Sequence, residues 1–308
     1  MAANNIRIAV RTAGVNRADL LQAAGRYPPP PGAPDILGLE CAGIDVATGE
    51  RVMALLPGGG YAREVIVDAG SVMRVPDALT DEEAGGFPEV FLTAYLNVFE
   101  LARAKKGETL LIHGGGSGVG TAATTLAKLA GMRVVVTAGS DEKCRRCTEH
   151  GADEAINYKT TDFAERLRDL DIVLDHIGAS YLSRNLQVLG TGGRLVNIGL
   201  MGGERRAEVD MASLLSKRQQ IIGSTLRARP VEEKAALVRS FLVRFGDDLE
   251  AGRIRPVIYR VFSIDQVEQA QTVAPVFQRD LDHETQVGAG QALGRSQIAL
   301  LTEVGSQH

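Results

Sequence analysis

Apolar and polar positions follow two different rhythms along this chain, and the change between them divides it. From residue 109 onward, short apolar runs alternate with helix-like stretches. The runs predict strands at 109–113, 132–138, 154–157, 171–175, 193–199 and 220–226. The stretches between them predict helices at 117–130, 141–150, near 161–169, at 180–189 and near 211–217. Strands separated by helices in this way build a doubly wound parallel sheet. Ahead of residue 109 the pattern is more broken. Strands are predicted at 6–10, 51–56 and 61–67, and helices at 16–24, 81–84 and 89–105. The last of these helices carries an apolar stripe at Leu92, Tyr95, Leu96 and Phe99. Tyr27-Pro28-Pro29-Pro30-Pro31-Gly32 must be an extended loop, because proline denies both helix and ladder. Pro57-Gly58-Gly59-Gly60 reads as a turn. A helix at 232–250 and a strand at 255–262 follow the alternating region.

The alternating region is placed at 93–229 as one domain, and 1–92 with 230–270 as a second, β-rich one, so the chain leaves that domain and returns to it. Residues 271–308 are polar and contain glycine without a clear strand period, and are expected to form a loosely structured, divergent tail.

The most specific segment is Thr109–Lys143. Its first apolar run stops at Gly114, Gly115, Gly116, Ser117, Gly118, Val119 and Gly120, then a helical pattern and a second apolar run follow. Strand, glycine turn, helix and strand form the first unit of a dinucleotide-binding domain. The strict G-x-G-x-x-G spacing is not met, and a plain tight turn is the alternative. The flanking pattern favours the nucleotide. An acid about 20 residues beyond such a loop commonly grips a ribose 2′-hydroxyl. Here the second strand ends in Ala138-Gly139-Ser140, with Lys143 one helical turn on. A small neutral strand tip followed by a lysine suits a 2′-phosphate, and so favours NADP over NAD. Ser140 also fits a plain helix cap, and Asp141 is the competing residue for an NAD reading.

Length and composition narrow the class. At 308 residues the chain has room for two domains. Its net charge of −4 does not point to nucleic acid as a partner. No apolar run approaches membrane-spanning length, and the opening MAANNIRIAV is not a signal peptide. Three cysteines argue for a reducing compartment, hence a cytoplasmic location, and against a disulfide framework. Cys144 and Cys147 form a lone C-x-x-C on a helical segment, which is expected to be structural. His113, His150, His176, His283 and His308 share no ligand spacing, so no metal site is expected.

Five longer segments carry a family resemblance: GVNRADLLQAAGRYPPPPGAPDILGLECAG (14–43), RVMALLPGGGYAREVIV (51–67), FPEVFLTAYLNVF (87–99), LLIHGGGSGVGTAA (110–123) and LVNIGLMGG (195–203). Together they resemble the NADPH:quinone oxidoreductases, the zeta-crystallin-like, zinc-free branch of the medium-chain dehydrogenase/reductase superfamily. The resemblance runs from about Ile6 to Ala270. It implies an α/β protein with a Rossmann nucleotide domain and a GroES-like substrate domain. It also implies NADPH as cofactor, a quinone or other activated carbonyl compound as acceptor, and a homodimer through the sheet edge at 220–226. Zinc-containing relatives hold their metal partly through a G-H-E motif. The matching position here reads Gly38-Leu39-Glu40, and leucine cannot ligate zinc.

Residue roles follow from the same resemblance. Gly114–Gly120 would cradle the pyrophosphate. Gly139, Ser140, Lys143 and Tyr158 would surround the 2′-phosphate and adenosine, although Tyr158 also reads as a strand-end aromatic. Asn16, Tyr27 and Thr93 would line the nicotinamide pocket. Tyr27 would orient the acceptor carbonyl or act as an aromatic lid, and Thr93 equally suits a helix-start hydroxyl. Gly199, Leu200 and Met201 lie just past a strand end, and Thr225, Leu226 and Arg227 would close over the nicotinamide. The alternatives on this scaffold are a reductase of activated double bonds, enals or enoyl thioesters, and a catalytically impaired NADPH-binding protein.

Departures from the family pattern motivate the last of these. An opening hairpin of roughly 25 residues is missing, and roughly 15 residues are cut between Gly43 and Arg51, which bears on whether a core can form. The approach to the fourth strand of the parallel sheet is shortened between Asp169 and Asp171. The final strand is replaced by the tail, so the β-rich domain is expected to be truncated.

Overall fold

The structure is a computed structural model and describes residues 5–276 and 297–301. Its described residues divide into two compact units. One takes the chain up to Leu92 and again from Leu226 onward; the other runs Thr93–Thr225.

The first unit opens with β1 (Asn5–Val15), then β2 (Glu40–Asp45), β3 (Arg51–Leu55), β4 (Glu64–Asp68) and β5 (Val72–Arg74). The second unit supplies β6 (Thr109–His113), β7 (Arg133–Ala138), β8 (Glu154–Asn157), β9 (Leu170–Asp175), β10 (Leu189–Asn197) and β11 (Gln220–Gly223). The chain then returns to the first unit with β12 (Ile258–Ser263) and β13 (Gln297–Leu301).

The six strands of the second unit are ordered β11-β10-β9-β6-β7-β8, with every pairing parallel. This is the doubly wound order, whose direction reverses between β6 and β9. The strand centres are apolar on both faces, as a sheet covered by helices requires. Leu111, Val135, Ile156, Val173 and Leu195 pack with Phe163, Leu170 and Leu189 in its core.

The first unit holds a seven-stranded sheet, ordered β12-β13-β1-β2-β3-β5 with β4 also on β1. Ile8, Val10, Cys41, Val52, Ala54, Val65 and Val67 form its apolar face. β1 is shared along its length: Asn5–Ala9 pairs with β4, and Thr12–Val15 pairs with β13. Both partners are needed because β1 is eleven residues long and neither neighbour reaches past five.

One expectation of damage, the loss of the final strand, is corrected here. The tail contributes a strand: Gln297–Leu301 runs antiparallel to β1 and parallel to β12, so this sheet does receive a strand from beyond Ala270. Residues 271–276 continue a helix, Val267–Val276. His283 and His308 lie outside the described residues. The short connection after Gly43 also closes cleanly. β2 and β3 pair from Glu40↔Leu55 to Ile44↔Arg51. Asp45 accepts from the Ala47 N–H (2.9 Å) and the Thr48 hydroxyl (3.1 Å), which makes the turn self-sufficient. Asp169, directly before β9, takes φ +55°, a conformation uncommon for a residue with a side chain.

The helix expected over 89–105 is shorter. It runs Pro88–Tyr95 and then widens into a π-helical stretch, Leu96–Leu101. The Asn97 amide donates to the Thr93 carbonyl (2.7 Å), so a side chain enters the helical ladder, and the Ala102 N–H reaches back five residues to Asn97 (3.1 Å). The strand expected over 220–226 ends at Gly223, and β2 and β5 were not anticipated.

Candidate functional site

In the second unit, the glycine turn follows β6 and leads into the helix Gly118–Leu129. Ser117 is its N-cap, accepting from the Gly120 N–H (3.1 Å) while its carbonyl accepts from Thr121 (2.8 Å). The N–H groups of Gly118 and Val119, the first two helical residues, have no acceptor within the helix and lie at its positive end. Space explains the glycines. A Cβ on Gly115 would lie 2.5 Å from Val136 Cβ, and one on Gly120 would lie 2.5 Å from the Gly114 carbonyl oxygen. Gly114 takes φ +63°, and a Cβ there would strike the His176 ring at 2.4 Å. The turn therefore packs tightly against the His176 ring, the Val136 side chain and its own backbone.

His176 follows the carboxyl end of β9, so the turn and His176 meet where the strand order reverses. That is the position at which open α/β sheets bind ligands. Asp175 builds this corner. Its carboxylate accepts from the Ile177 N–H (2.7 Å), the Gly178 N–H (3.1 Å) and the Asn197 amide (3.2 Å). Asn197 also donates to the Gly199 carbonyl (3.0 Å), and the Met201 N–H donates to the His176 carbonyl (2.9 Å). Gly199, Leu200 and Met201 are thus held against His176 and Gly178 at a corner ordered by Asp175, a residue that sequence reasoning missed. Its only signal is an acid closing the apolar run LDIVLD.

A second unanticipated group sits beneath the turn. His113, 1 % exposed, contacts Asn185 Oδ1 (2.7 Å) through Nε2 and the Thr137 hydroxyl (3.0 Å) through Nδ1. Thr137 Oγ1 accepts in turn from the Gly114 N–H (3.4 Å). Burial pushes the His113 imidazole down to about 4, so it is neutral near pH 7. Rings of Phe163 and Tyr181 pack edge-on against it.

Past the end of β7, Ser140 caps the helix Asp141–Glu149 and accepts from the Lys143 N–H (3.2 Å). Gly139 is buried, and Ser140, Lys143 and Tyr158 are half-buried around the same strand ends; the Tyr158 N–H donates to the Ala138 carbonyl (3.1 Å). Asp141, the competitor for an NAD reading, accepts from the Asn157 amide (2.8 Å). Cys144 and Cys147 lie on this helix, and burial pushes the Cys147 thiol up to about 12. No cluster of three or more His, Cys, Asp or Glu suited to a metal occurs among the described residues.

The first unit gathers a different set. Asn16 caps the helix Arg17–Ala23, and its N–H donates to Asp19 (2.8 Å). The Asn16 amide donates to Glu40 Oε1 (2.7 Å), and the Glu89 N–H donates to Glu40 Oε2 (2.8 Å). Asp19 also accepts from the Tyr61 hydroxyl (3.2 Å) and the Gly38 N–H (3.0 Å). Burial pushes Asp19 up to about 6, and Glu40 and Glu89 each up to about 8. Arg227 is buried. It donates to the Pro57 carbonyl (2.9 Å) and Gln22 (2.6 Å), and stands 5.3 Å from the Tyr27 ring centre. Leu226 is buried beside it in sequence, whereas Thr225 is exposed at the end of the second unit. Thr93, half-buried, uses its carbonyl on Asn97.

Known proteins share this architecture. Residues 2–77 match the alcohol dehydrogenase GroES-like domain family, and residues 118–241 match the zinc-binding dehydrogenase family. A quinone oxidoreductase from Lama guanicoe is 29% identical over 283 residues, covering 87% of this chain and 84% of that protein. A phenolphthiocerol/phthiocerol polyketide synthase polypeptide of Mycobacterium tuberculosis is 34% identical over 226 residues, 68% of this chain; the match spans only 10% of that much longer protein. Among solved structures, the quinone oxidoreductase of Thermus thermophilus, determined also in complex with NADPH, superposes with a TM-score of 0.80. It is 30% identical, with 97% of this chain and 91% of that chain covered. The parallel sheet with its glycine turn, the seven-stranded second sheet and these likenesses agree: the chain belongs to the quinone oxidoreductase family of the medium-chain dehydrogenases/reductases.

Proposed function

We propose that this protein is an NADPH-dependent reductase of quinones that works without zinc. The observation that carries the reading is the glycine turn at the reversal point of the parallel sheet, where a Cβ at Gly114, Gly115 or Gly120 would strike His176, Val136 or the loop backbone, so that glycine alone lets the turn close onto the helix N-terminus. Gly114–Gly120 and the first helical N–H groups hold the pyrophosphate. Gly139, Ser140 and Tyr158 shape the adenosine end, and Lys143 meets the 2′-phosphate. The bound nicotinamide supplies a hydride. Asn16, Tyr27 and Thr93 belong to the acceptor end, where Tyr27 hydrogen-bonds the acceptor carbonyl. Gly199–Met201 and Thr225–Arg227 border the nicotinamide.

The engagement of Asp141 by Asn157 supports NADPH over NADH, because it ties up the acid that would otherwise grip a ribose hydroxyl. Lys143→Glu should therefore weaken NADPH about tenfold or more while leaving NADH within about threefold, since it turns an attraction for the 2′-phosphate into a repulsion. Fluorescence titration with both cofactors decides this, and equal losses would remove Lys143 from the role.

The direct test of the function is NADPH oxidation by the purified chain with 9,10-phenanthrenequinone. Saturable, quinone-dependent oxidation is the expected result, and binding without oxidation would reject the enzyme reading. The likeness to a polyketide synthase segment favours one second acceptor class, a double bond conjugated to a carbonyl. Faster turnover with an enal than with any quinone would select it. A homodimer through the sheet edge at β11, where Ile221 is 43% exposed, completes the reading; sedimentation at micromolar concentration should show a dimer. No helix among the described residues is long and apolar enough to cross a membrane.

A further inference from the structure

We propose that Glu89 supplies the proton that an acceptor held at Tyr27 takes up on reduction. This inference rests on the reading of the protein as a reductase, and concerns a residue to which that reading gives no part.

Glu89 stands in the first turn of the helix Pro88–Tyr95. Its backbone N–H is fixed on Glu40, and the other Glu40 oxygen is fixed by Asn16, so Glu40 has both oxygens engaged. Glu89 differs. Its Oε2 is closed off from solvent and has no hydrogen-bond partner among the described residues. Glu89 as a whole is half-buried, but this oxygen meets neither water nor a donor, so negative charge on it is unsatisfied and the neutral acid is favoured. An acid in that state has a proton to give and, in this structure, nothing fixed to receive it.

The charged and titratable groups around Glu89 come from several elements. Asp19 on the helix Arg17–Ala23 and Glu40 on β2 supply acids. Arg227 and Lys234, before and within the first turn of the helix Val231–Glu250, supply cations. Tyr27 in the proline loop feels the Glu89 charge, and Tyr61 binds Asp19. The two cations are turned to neutral acceptors: Lys234 donates to the Arg227 carbonyl (2.7 Å), and Arg227 donates to Pro57 and Gln22. Burial dominates the balance, and the Glu89 carboxyl is pushed up to about 8.

That value suits the task. The Tyr27 phenol, itself pushed up from its usual range by burial and then by Glu89, stays protonated, so it can hold a carbonyl oxygen but gives up its proton poorly near pH 7. An acid that titrates near the working pH is the better donor. Atoms and electrons balance in the step. The acceptor gains a hydride from the bound cofactor, which is thereby oxidised. The O–H bond of Glu89 breaks and leaves its electron pair on the carboxylate, while a new O–H bond forms on the reduced acceptor. Solvent returns the proton to Glu89 before the next turnover.

The test uses the full chain with NADPH and 9,10-phenanthrenequinone, comparing wild type, Glu89→Gln and Glu89→Asp. Glu89→Gln should lower kcat about 100-fold with the NADPH Kd within about threefold. Wild type should lose kcat as the pH rises through about 8, and the glutamine variant should lack that limb. Glu89→Asp should recover part of kcat with a shifted limb, which a purely structural role would not produce. An unchanged kcat in Glu89→Gln, or a wild-type kcat flat across pH 7–9, overturns this inference alone. Wild type that binds NADPH and reduces no acceptor overturns the parent reading as well.

Discussion

Gly120→Val should abolish measurable NADPH binding, raising Kd at least about 100-fold, because it pushes the first turn of a helix away from the loop proposed to hold the pyrophosphate. The closest neighbours of a Cβ at this position are all backbone: the Gly114 carbonyl oxygen at 2.5 Å, the Gly115 carbonyl oxygen at 2.8 Å and the Gly115 carbonyl carbon at 2.9 Å. No rotamer change relieves such contacts, so loop and helix must separate. Separation also breaks the Ser117 cap, which holds the Gly120 N–H. Loss of a cap costs about 1 kcal/mol and forcing loop and helix apart adds roughly 1–3 kcal/mol, so the variant should be less stable but folded while losing its ligand. Gly116→Ala is the matched control. The nearest atom to a Cβ there is Cys147 Sγ at 3.9 Å, so its NADPH affinity should stay within a few-fold of wild type. Fluorescence titration of both variants, with circular dichroism for folding, reads the result. A folded Gly120→Val protein with wild-type affinity would remove the glycine turn from the cofactor site.

The glycine turn could be read from sequence because its cause is local. Five glycines between two apolar runs have few structural uses, and the helix start, the parallel strands and the capping role of Ser140 all follow from neighbouring residues. What could not be read has long-range causes. β2, ECAGID, is buried on both faces and so shows no alternation to mark it as a strand. β13 is only five residues, QIALL, within a polar stretch, and it becomes a strand because β1 and β12 offer it partners on both sides. The π-helical stretch after Tyr95 depends on one side-chain bond from Asn97. Glu40 and Glu89 were invisible for a different reason. A glutamate in a sequence reads as a solvated charge, and these two are joined across 49 positions by a bond from a backbone N–H. Asn16 was legible as a residue of interest by family resemblance, but its partner, Glu40, stood out only as part of a motif that lacks its histidine.

The two units should respond to pH in opposite directions. In the first, Glu40 is pushed from 4.5 to about 8 by burial. An acid whose folded value is raised favours the fold below its unfolded value, and that stability is lost as the pH climbs through the folded value. A displacement of that size corresponds to roughly 5 kcal/mol, mostly lost between about pH 5 and pH 8. Glu89 and Asp19, both raised, act in the same sense. In the second unit, His113 is pushed from 6.5 to about 4 by burial. A base whose folded value is depressed favours the fold above its unfolded value, and that stability is lost as the pH falls, here by roughly 3 kcal/mol toward pH 4. Buried thiols report each unit separately, Cys41 on β2 in the first and Cys147 in the second. Urea unfolding followed by thiol labelling should give a Cys41 midpoint that drops from pH 6 to pH 8 and a Cys147 midpoint that drops from pH 6.5 to pH 4.5. Glu40→Ala should lower the Cys41 midpoint at pH 6 and flatten its alkaline fall, because the group that titrates is gone; the cavity and the stranded Asn16 and Glu89 donors account for the lower start. Midpoints that move together at both thiols would show that the buried acids and His113 do not govern the stability of the units that contain them.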